Sequence, residues 1–391
     1  MGEQRGFNTR AIHGDGARYP LQAVSPPIYE TTTFRYETAA EGALLGADRG
    51  EGWYYTRWGN PTTAELESRV ALLEGGEMAI ATGSGMGAIS TVILGLLQRG
   101  DHLVAPRATY QASHELFTQI LPRYGIGATL IDAVDGEAYR AALRPETRVV
   151  YIESPNNPLL EITDIAAIAR LAQEHGALAV VDNTFASPYN QTPLALGADI
   201  VVHSMTKYLG GHADVTAGIL VGRRDLLLEL RRRFRIYGPV LDPFAAWLVL
   251  RGIRTLGLRM ERHNQNALGL ARALAPHPKI ERVHYPGLAD HPGHALARRQ
   301  MRGFGGMVSI EVRGGSAAGA RVIEALRTAV LAVSLGSVET LVTHPASTTS
   351  VGIPAPDRAR AGIREGLIRI SVGLEDLEDL VEDFSQALQK A

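Results

Sequence analysis

One lysine stands where a lysine can do chemistry. In Ala198-Asp199-Ile200-Val201-Val202-His203-Ser204-Met205-Thr206-Lys207-Tyr208-Leu209-Gly210-Gly211-His212 a short β-branched run gives way to hydroxyls and glycines. That is the pattern of a buried strand ending in a loop that can bring its backbone close to a ligand. Ligands bind at the carboxyl ends of strands in an open parallel sheet, so an amine just past this strand lies in a partly desolvated cleft with a lowered pKa. Such an amine forms Schiff bases with carbonyl compounds. A solitary lysine after a strand is ordinarily a solvated loop residue, but this one has company. Ala179-Val180-Val181-Asp182-Asn183-Thr184 is a second apolar run ending abruptly in an acid, which places Asp182 to face a protonated ring nitrogen. Ser204 and Thr206 add hydroxyls suited to phosphate oxygens. A lysine and an acid in these roles are what a pyridoxal phosphate (PLP) site requires.

Other candidates have bland readings beside the chemical ones. Gly83-x-Gly85-x-x-Ala88 follows Met78-Ala79-Ile80-Ala81-Thr82 and imitates a dinucleotide fingerprint. The apolar run is short and no acid ends a following strand at the expected distance, so a Rossmann site is rejected. A helix N-terminus whose free amides cradle a phosphate is what remains. Tyr110, after a strand ending near Pro106, either stacks on a flat ring or is a core tyrosine. Glu153-Ser154-Pro155-Asn156-Asn157-Pro158, taken alone, is a turn. Trp53-Tyr54-Tyr55-Thr56-Arg57-Trp58 has the residue types of an interface anchor. Arg369 stands in the apolar run Leu367-Ile368-Arg369-Ile370-Ser371, where an unpaired guanidinium is costly. It either pairs with Glu365 or Asp376 or clamps a carboxylate in bidentate fashion. His203, His212 and His344 lack metal-ligand spacing and are read as structural, with no metal site.

Alternating strands and helices must position these groups. Strands are expected at 101–106, 128–133 and 148–153, helices at 111–124, 136–144 and 165–175, and then come the two strands already described. Such alternation means an α/β fold with a parallel sheet covered on both faces, and right-handed crossovers place the strand ends on one side. Residues 1–60 show no sustained period and read as an extended arm lying on something else. Residues 241–274 look helical, with Gly252 and Gly257 as interruptions. Strand, helix and strand patterns at 306–312, 317–327 and 367–371, closed by an amphipathic helix at 376–390, form a smaller α+β domain. The loops at 332–336 and 343–349 carry few charges for a surface.

Composition narrows the class. The 391 residues are 45% hydrophobic and include 39 Lys+Arg against 41 Asp+Glu, for a net charge of −2. A globular chain with a large core and no nucleic-acid partner is expected, and the densest basic run, Arg231-Arg232-Arg233-Phe234-Arg235, reads as a helix cap or a contact with a neighbouring subunit. There is no cysteine, hence no disulfide, thiolate nucleophile or zinc-cysteine site. No apolar leader or 18-residue apolar run appears. The expectation is a cytoplasmic protein with no membrane partner.

The strings SMTKYLGGHADVTAGILVG, VVDNTFASPY, ESPNNP, YYTRWGNPT and LIRISVGLEDLEDL resemble the Cys/Met-metabolism family of PLP enzymes, from about Gly6 to about Leu388. This family comprises cystathionine synthases and lyases, O-acylhomoserine sulfhydrylases and methionine γ-lyases. The resemblance implies the type I fold of PLP-dependent transferases, similar to aspartate aminotransferase, with a mostly parallel central sheet. Its expected parts are an N-terminal arm at 1–60 making inter-subunit contacts, a large PLP-binding domain at 61–255 and a C-terminal α+β domain at 256–391. It further implies that Ser84, Gly85, Met86, Ser204 and Thr206 hold the cofactor phosphate, that Tyr110 stacks on the ring and that Asn157 contacts the ring oxygen. Tyr55 and Arg57 would reach the phosphate in the neighbouring subunit, in a homotetramer built from active dimers. The substrate, a small amino acid, would meet Arg369 at its α-carboxylate and Ser334, Val333 and Tyr55 elsewhere.

For chemistry, the resemblance implies a γ-elimination in which Lys207 is the base at Cα and moves the Cβ proton, with Tyr110 as an acid at the departing group. AVSLGSVETLVTHPAS is most similar to methionine γ-lyases. Cystathionine enzymes resemble one another in a glutamate where Val333 stands, and the sulfhydrylases read NLG in place of SLG. The chain differs from many methionine lyases at Ala112, where they have a cysteine, and in lacking a lysine near Phe234. The alternatives are cystathionine γ-synthase or γ-lyase activity, O-acylhomoserine sulfhydrylase activity, and a non-catalytic PLP-binding regulator.

Overall fold

The computed structural model describes residues 5–16, 19–348 and 355–391. Residues 1–4 of the expected arm and Thr349 of the low-charge loop lie outside the described residues. Seven of the short apolar runs become strands of one sheet: β1 (Met78–Thr82), β2 (His102–Pro106), β3 (Gly127–Ile131), β4 (Thr147–Glu153), β5 (Leu178–Asp182), β6 (Ile200–Ser204) and β7 (Gly218–Gly222). Their order is β1-β7-β6-β5-β4-β2-β3. The β2/β3, β2/β4, β4/β5 and β5/β6 pairs are parallel, and β7 runs antiparallel to both β6 and β1. Six strands therefore point one way and end at one edge. Strands buried on both faces need no polar alternation, and β5, β6 and β7 accordingly read as nearly continuous Val, Ile and Leu.

Local signals explain the flanking helices. Ile165–His175 starts where the Asp164 side chain accepts from the Ala167 amide and stops at Gly176 in the left-handed region. Its buried Ile165, Ile168, Ala169 and Ala172 form the helical stripe that packs on β4 and β5. Pro61–Glu74 is capped by Asn60, has proline in its first turn and ends at Gly75. The expected helix over 111–124 is instead an α-helical turn at Gln111–Glu115, a π-helical turn at Leu116–Ile120 and a 3₁₀ turn at Leu121–Tyr124. Pro122 lacks an amide and its ring would strike the carbonyl four residues back, which breaks the regular ladder.

The glycines at 252 and 257 do not interrupt the helical region. It divides at Arg254-Thr255 into Pro243–Ile253 and Leu256–Leu274. A Cβ on Gly252 would lie 2.2 Å from the Gly210 carbonyl, and one on Gly257 1.7 Å from Asn8 Oδ1. Both glycines serve close approach, and Gly252 is what lets a helix sit against the loop that carries Lys207.

A second sheet, in the order β10-β11-β12-β9-β8, comprises β8 (Ile280–His284), β9 (Met307–Val312), β10 (Val330–Leu331), β11 (Leu341–Thr343) and β12 (Leu367–Ser371). The Leu256–Leu274, Gly315–Glu324 and Leu377–Leu388 helices share its hydrophobic core. Thr343, expected in a loop, closes β11, and Pro345–Ser347 is a 3₁₀ turn.

Before Asn60 the chain forms short helices at Phe7–His13 and Ala39–Gly46. Between them Leu21 is fully exposed and Val24 is 84% exposed. The basic run at 231–235 is largely neutralised within the chain, through Arg231–Glu67, Arg233–Glu229 and Arg235–Asp48 pairs. Among the described residues, no helix is long and apolar enough to cross a membrane.

Candidate active site

The loop after β6 is folded by bonds from the Gly210 amide to the Met205 carbonyl (2.9 Å) and from the Gly211 amide to the Lys207 carbonyl (2.8 Å). It presents Lys207, whose Nζ donates to Ser334 Oγ at 2.7 Å. Burial, helped by the positive charge of Arg369, brings the Lys207 pKa from 10.5 down to about 8. At the neighbouring strand tip Asp182 accepts from the Thr184 amide (3.0 Å) and the Tyr151 hydroxyl (3.2 Å). Asp182 is 8% exposed, and no cation pairs with it among the described residues.

β1 leads through Gly83 and Ser84 into the Gly85–Leu96 helix, where Ser84 Oγ accepts from the Gly87 amide at 3.0 Å. The Gly85 and Met86 amides meet no acceptor among the described residues. A Cβ on Gly85 would lie 2.7 Å from Ser204 Cβ, so only glycine lets this helix start reach the end of β6. The Thr206 hydroxyl donates to the Ala217 carbonyl at 3.2 Å.

Arg369 on β12 is 4% exposed. Its Nη1 donates to Asn157 Oδ1 (2.9 Å) and its Nη2 to the Ser334 carbonyl (3.0 Å), while Nε is buried without a partner. The carboxylates that offered a salt bridge are engaged elsewhere: Glu365 pairs with Arg358 and Asp376 with Arg262. Burial brings the Arg369 pKa down to about 10. A buried guanidinium held by neutral acceptors carries an uncompensated charge, which an incoming carboxylate would neutralise. Ser334 takes part from φ 90°, a region that side chains rarely enter and that often marks functional sites. Tyr110 is half-exposed, and its amide donates to Glu153 Oε2 at 2.9 Å.

Lys207, Ser334, Arg369 and Asn157 are thus joined by direct hydrogen bonds, with Asp182, Tyr110 and the Gly85 helix start at neighbouring strand ends. Tyr55 and Arg57 are not brought to this cluster within the protomer. Arg57 donates to the Arg235 carbonyl (2.9 Å) and lies over the rings of Trp58 (4.8 Å) and Tyr55 (5.4 Å). Val333, adjoining Ser334, is 62% exposed. Tyr151, bonded to Asp182, was missed by sequence reasoning. It stands two residues before Glu153 in a strand, hence on the same face, and that parity was the available signal. His203 bonds to Glu74 (2.6 Å), His212 to the Gly210 carbonyl and His344 to Ser347 and the Glu365 carbonyl. No group suited to a metal ion occurs among the described residues.

A mostly parallel α/β sheet with a low-pKa lysine, an acid without a cation and open helix amides at its strand ends has the type I architecture of PLP-dependent enzymes. The family model for "Cys/Met metabolism PLP-dependent enzyme" matches residues 8–389. The chain is 47% identical over 387 residues to the L-methionine gamma-lyase of Pseudomonas putida, covering 98% of this chain and 97% of that protein. It is 45% identical over 368 residues to the cystathionine gamma-lyase of Bacillus subtilis, covering 94% of each. A solved structure of cystathionine gamma synthase from Xanthomonas oryzae pv. oryzae in complex with cystathionine superposes with a TM-score of 0.94 at 42% identity, over 99% of this chain and 98% of that one. The chain belongs to the Cys/Met metabolism family of PLP-dependent enzymes, and pyridoxal phosphate is its cofactor. The residues present fit that group, with open amides at Gly85 and Met86, a cation-free Asp182 and a buried lysine amine.

Proposed function

We propose that the chain catalyses γ-elimination of L-methionine, in which methionine and water give methanethiol, 2-oxobutanoate and ammonia. Bound PLP supplies the electron sink for carbanion chemistry at the amino acid. Ser84, Gly85, Met86, Ser204 and Thr206 would hold its phosphate, Asp182 the proton on its ring nitrogen, Tyr110 its ring face and Asn157 its ring oxygen. Arg369 binds the substrate α-carboxylate through its planar fork. Lys207, whose pKa is lowered to about 8 so that its neutral form is far more accessible than that of an ordinary lysine, takes the proton from Cα and moves the one from Cβ. Tyr110 gives a proton to the departing sulfur.

The observation that carries this reading is the Lys207–Ser334–Arg369 bridge with an aliphatic residue, Val333, beside it. Valine offers no counter-charge to the distal ammonium of cystathionine and suits a thioether methyl. The near-equal identities to a methionine lyase and a cystathionine lyase favour cystathionine as the second substrate to consider. Product analysis with methionine, cystathionine and O-acylhomoserine, with and without added thiol, tests the assignment. Faster turnover of either alternative substrate would replace it.

The assembly is proposed to be a homotetramer of active dimers, with an arm at 1–60, a large domain at 61–255 and a small domain at 256–391. The exposed Leu21 and Val24 support an arm that lies on another subunit, with Tyr55 and Arg57 serving that subunit's site. A cytoplasmic location fits a chain with no cysteine.

A further inference from the structure

Glu153 ends β4 opposite Asp182, its register partner on β5, and is 4% exposed. It takes no part in the proposed proton transfers, yet its two oxygens join two loops of the site. Oε2 accepts from the Tyr110 amide at 2.9 Å and from the Thr109 hydroxyl, and Oε1 accepts from the Asn157 amide at 2.9 Å. Tyr110 follows β2 and Asn157 follows β4, so one carboxyl group spans two loops. From Asn157 the connection continues, because its Oδ1 takes Nη1 of Arg369, whose Nη2 holds the Ser334 carbonyl, and Ser334 Oγ takes Lys207 Nζ. An arc of side chains thus runs from the Tyr110 loop to the lysine.

We propose that Glu153 is a positioning residue that holds the Tyr110 loop and the Asn157–Arg369 arm at a fixed separation, and so sets the grip of Arg369 on the substrate carboxylate. The inference rests on the proposed carboxylate role of Arg369 and is independent of which amino acid is cleaved. A carboxyl group suits the task because both amides are donors that cannot reverse. An ionised Glu153 accepts both. A protonated one still can, since the Thr109 hydroxyl is able to turn and receive its proton. Burial and the neighbouring Asp182 raise the Glu153 pKa, and both of its protonation states hold the loops. Glutamine has the same shape but one acceptor oxygen, and its NH₂ must face one of the two amides.

The test is Glu153→Gln, made in the wild-type and Asn157→Ala backgrounds. Asn157→Ala keeps the backbone amide that Glu153 holds but removes the oxygen that holds Arg369. Glycine, which has a carboxylate and no γ-leaving group, is the probe, and its Kd is read from the cofactor absorbance of the holoenzyme. In the wild-type background Glu153→Gln should raise the glycine Kd about tenfold, the effect of weakening one charge-assisted bond. The thermal midpoint of the cofactor-free protein should stay near that of wild type. In the Asn157→Ala background the same substitution should change the Kd by less than about threefold, because the link is already cut. A glycine Kd unchanged by Glu153→Gln, or an equal rise in both backgrounds, overturns the proposal. Should Glu153→Gln fail to fold, Glu153→Asp replaces it: the carboxyl group is kept but one methylene is lost, so aspartate cannot reach both loops. It should weaken glycine similarly, and wild-type affinity in that variant would overturn the proposal. If the holoenzyme of wild type does not respond to glycine while Arg369→Ala retains full activity, it is the carboxylate role of Arg369 that fails, and this inference with it.

Discussion

Ser334 and Lys207 connect the two sheets: the lysine Nζ donates to the serine Oγ at 2.7 Å, and the serine does this from a backbone φ of 90°. The same residue gives its carbonyl to Arg369. Its strained backbone is held by what it touches, and the Gly336 amide bonded to Ser371 Oγ (2.8 Å) fixes the loop from the other side.

Strain and chemistry are separable at this position. Ser334→Gly relieves a left-handed conformation worth on the order of 1 kcal/mol while removing the acceptor of the lysine amine. Ser334→Ala removes the acceptor and keeps the strain. Both variants should lose activity to a similar degree, but only the glycine variant should match or exceed the wild-type thermal midpoint. Loss of activity in the glycine variant alone would assign the role to backbone shape instead of the hydroxyl.

Lys207 should titrate far from an ordinary lysine. The chain has only three lysines, Lys207, Lys279 and Lys390, so acylation of the cofactor-free protein can be followed site by site. Labelling of Lys207 tracks its neutral amine and should have a midpoint near pH 8, against 10.5 for an unperturbed side chain. Removing the positive charge in Arg369→Leu favours the ammonium and moves the midpoint upward. A midpoint near 10.5 would mean that the amine is not desolvated.

Much of this site was legible because its groups sit where local patterns end. Asp182 and Lys207 each follow an apolar run, and strand ends of a parallel sheet converge. Other features depend on distant partners. The direction of β7 was not legible, since Gly218-Ile219-Leu220-Val221-Gly222 reads alike either way. Gly252 and Gly257 imitate helix breaks because nothing local announces the Gly210 carbonyl or Asn8. Arg369 had Glu365 and Asp376 as plausible neighbours in the chain, and only the fold shows both engaged elsewhere. Glu153 looked like the start of a turn because its donors come from two separate loops.

Tyr55 and Arg57 make a prediction about assembly. Within one protomer Arg57 is bound to the Arg235 carbonyl and stacked on Trp58, away from the lysine cluster. If it serves the neighbouring site, inactive Arg57→Ala and inactive Lys207→Ala proteins should complement when mixed under subunit exchange. Equal mixing should recover about a quarter of wild-type activity, because half the dimers are hybrids and each hybrid has one intact site. Absence of recovery with exchange demonstrated would place Arg57 outside the shared site.

If Val333 sets the choice of substrate, substitution there is the sharpest test of it. Its side chain is 62% exposed in the protomer and adjoins the serine that touches both Lys207 and Arg369. A glutamate there would find no partner in a thioether methyl but would pair with the distal ammonium of cystathionine. Val333→Glu should therefore lower kcat/KM for methionine and raise it for cystathionine. The change in relative preference should be on the order of 1 to 3 kcal/mol, the range for one charge-assisted hydrogen bond. Steady-state kinetics on both substrates, for wild type and variant, give the comparison directly. If the variant changes both substrates in the same direction and proportion, Val333 does not read the distal end of the substrate, and the preference for methionine must be set elsewhere in the pocket.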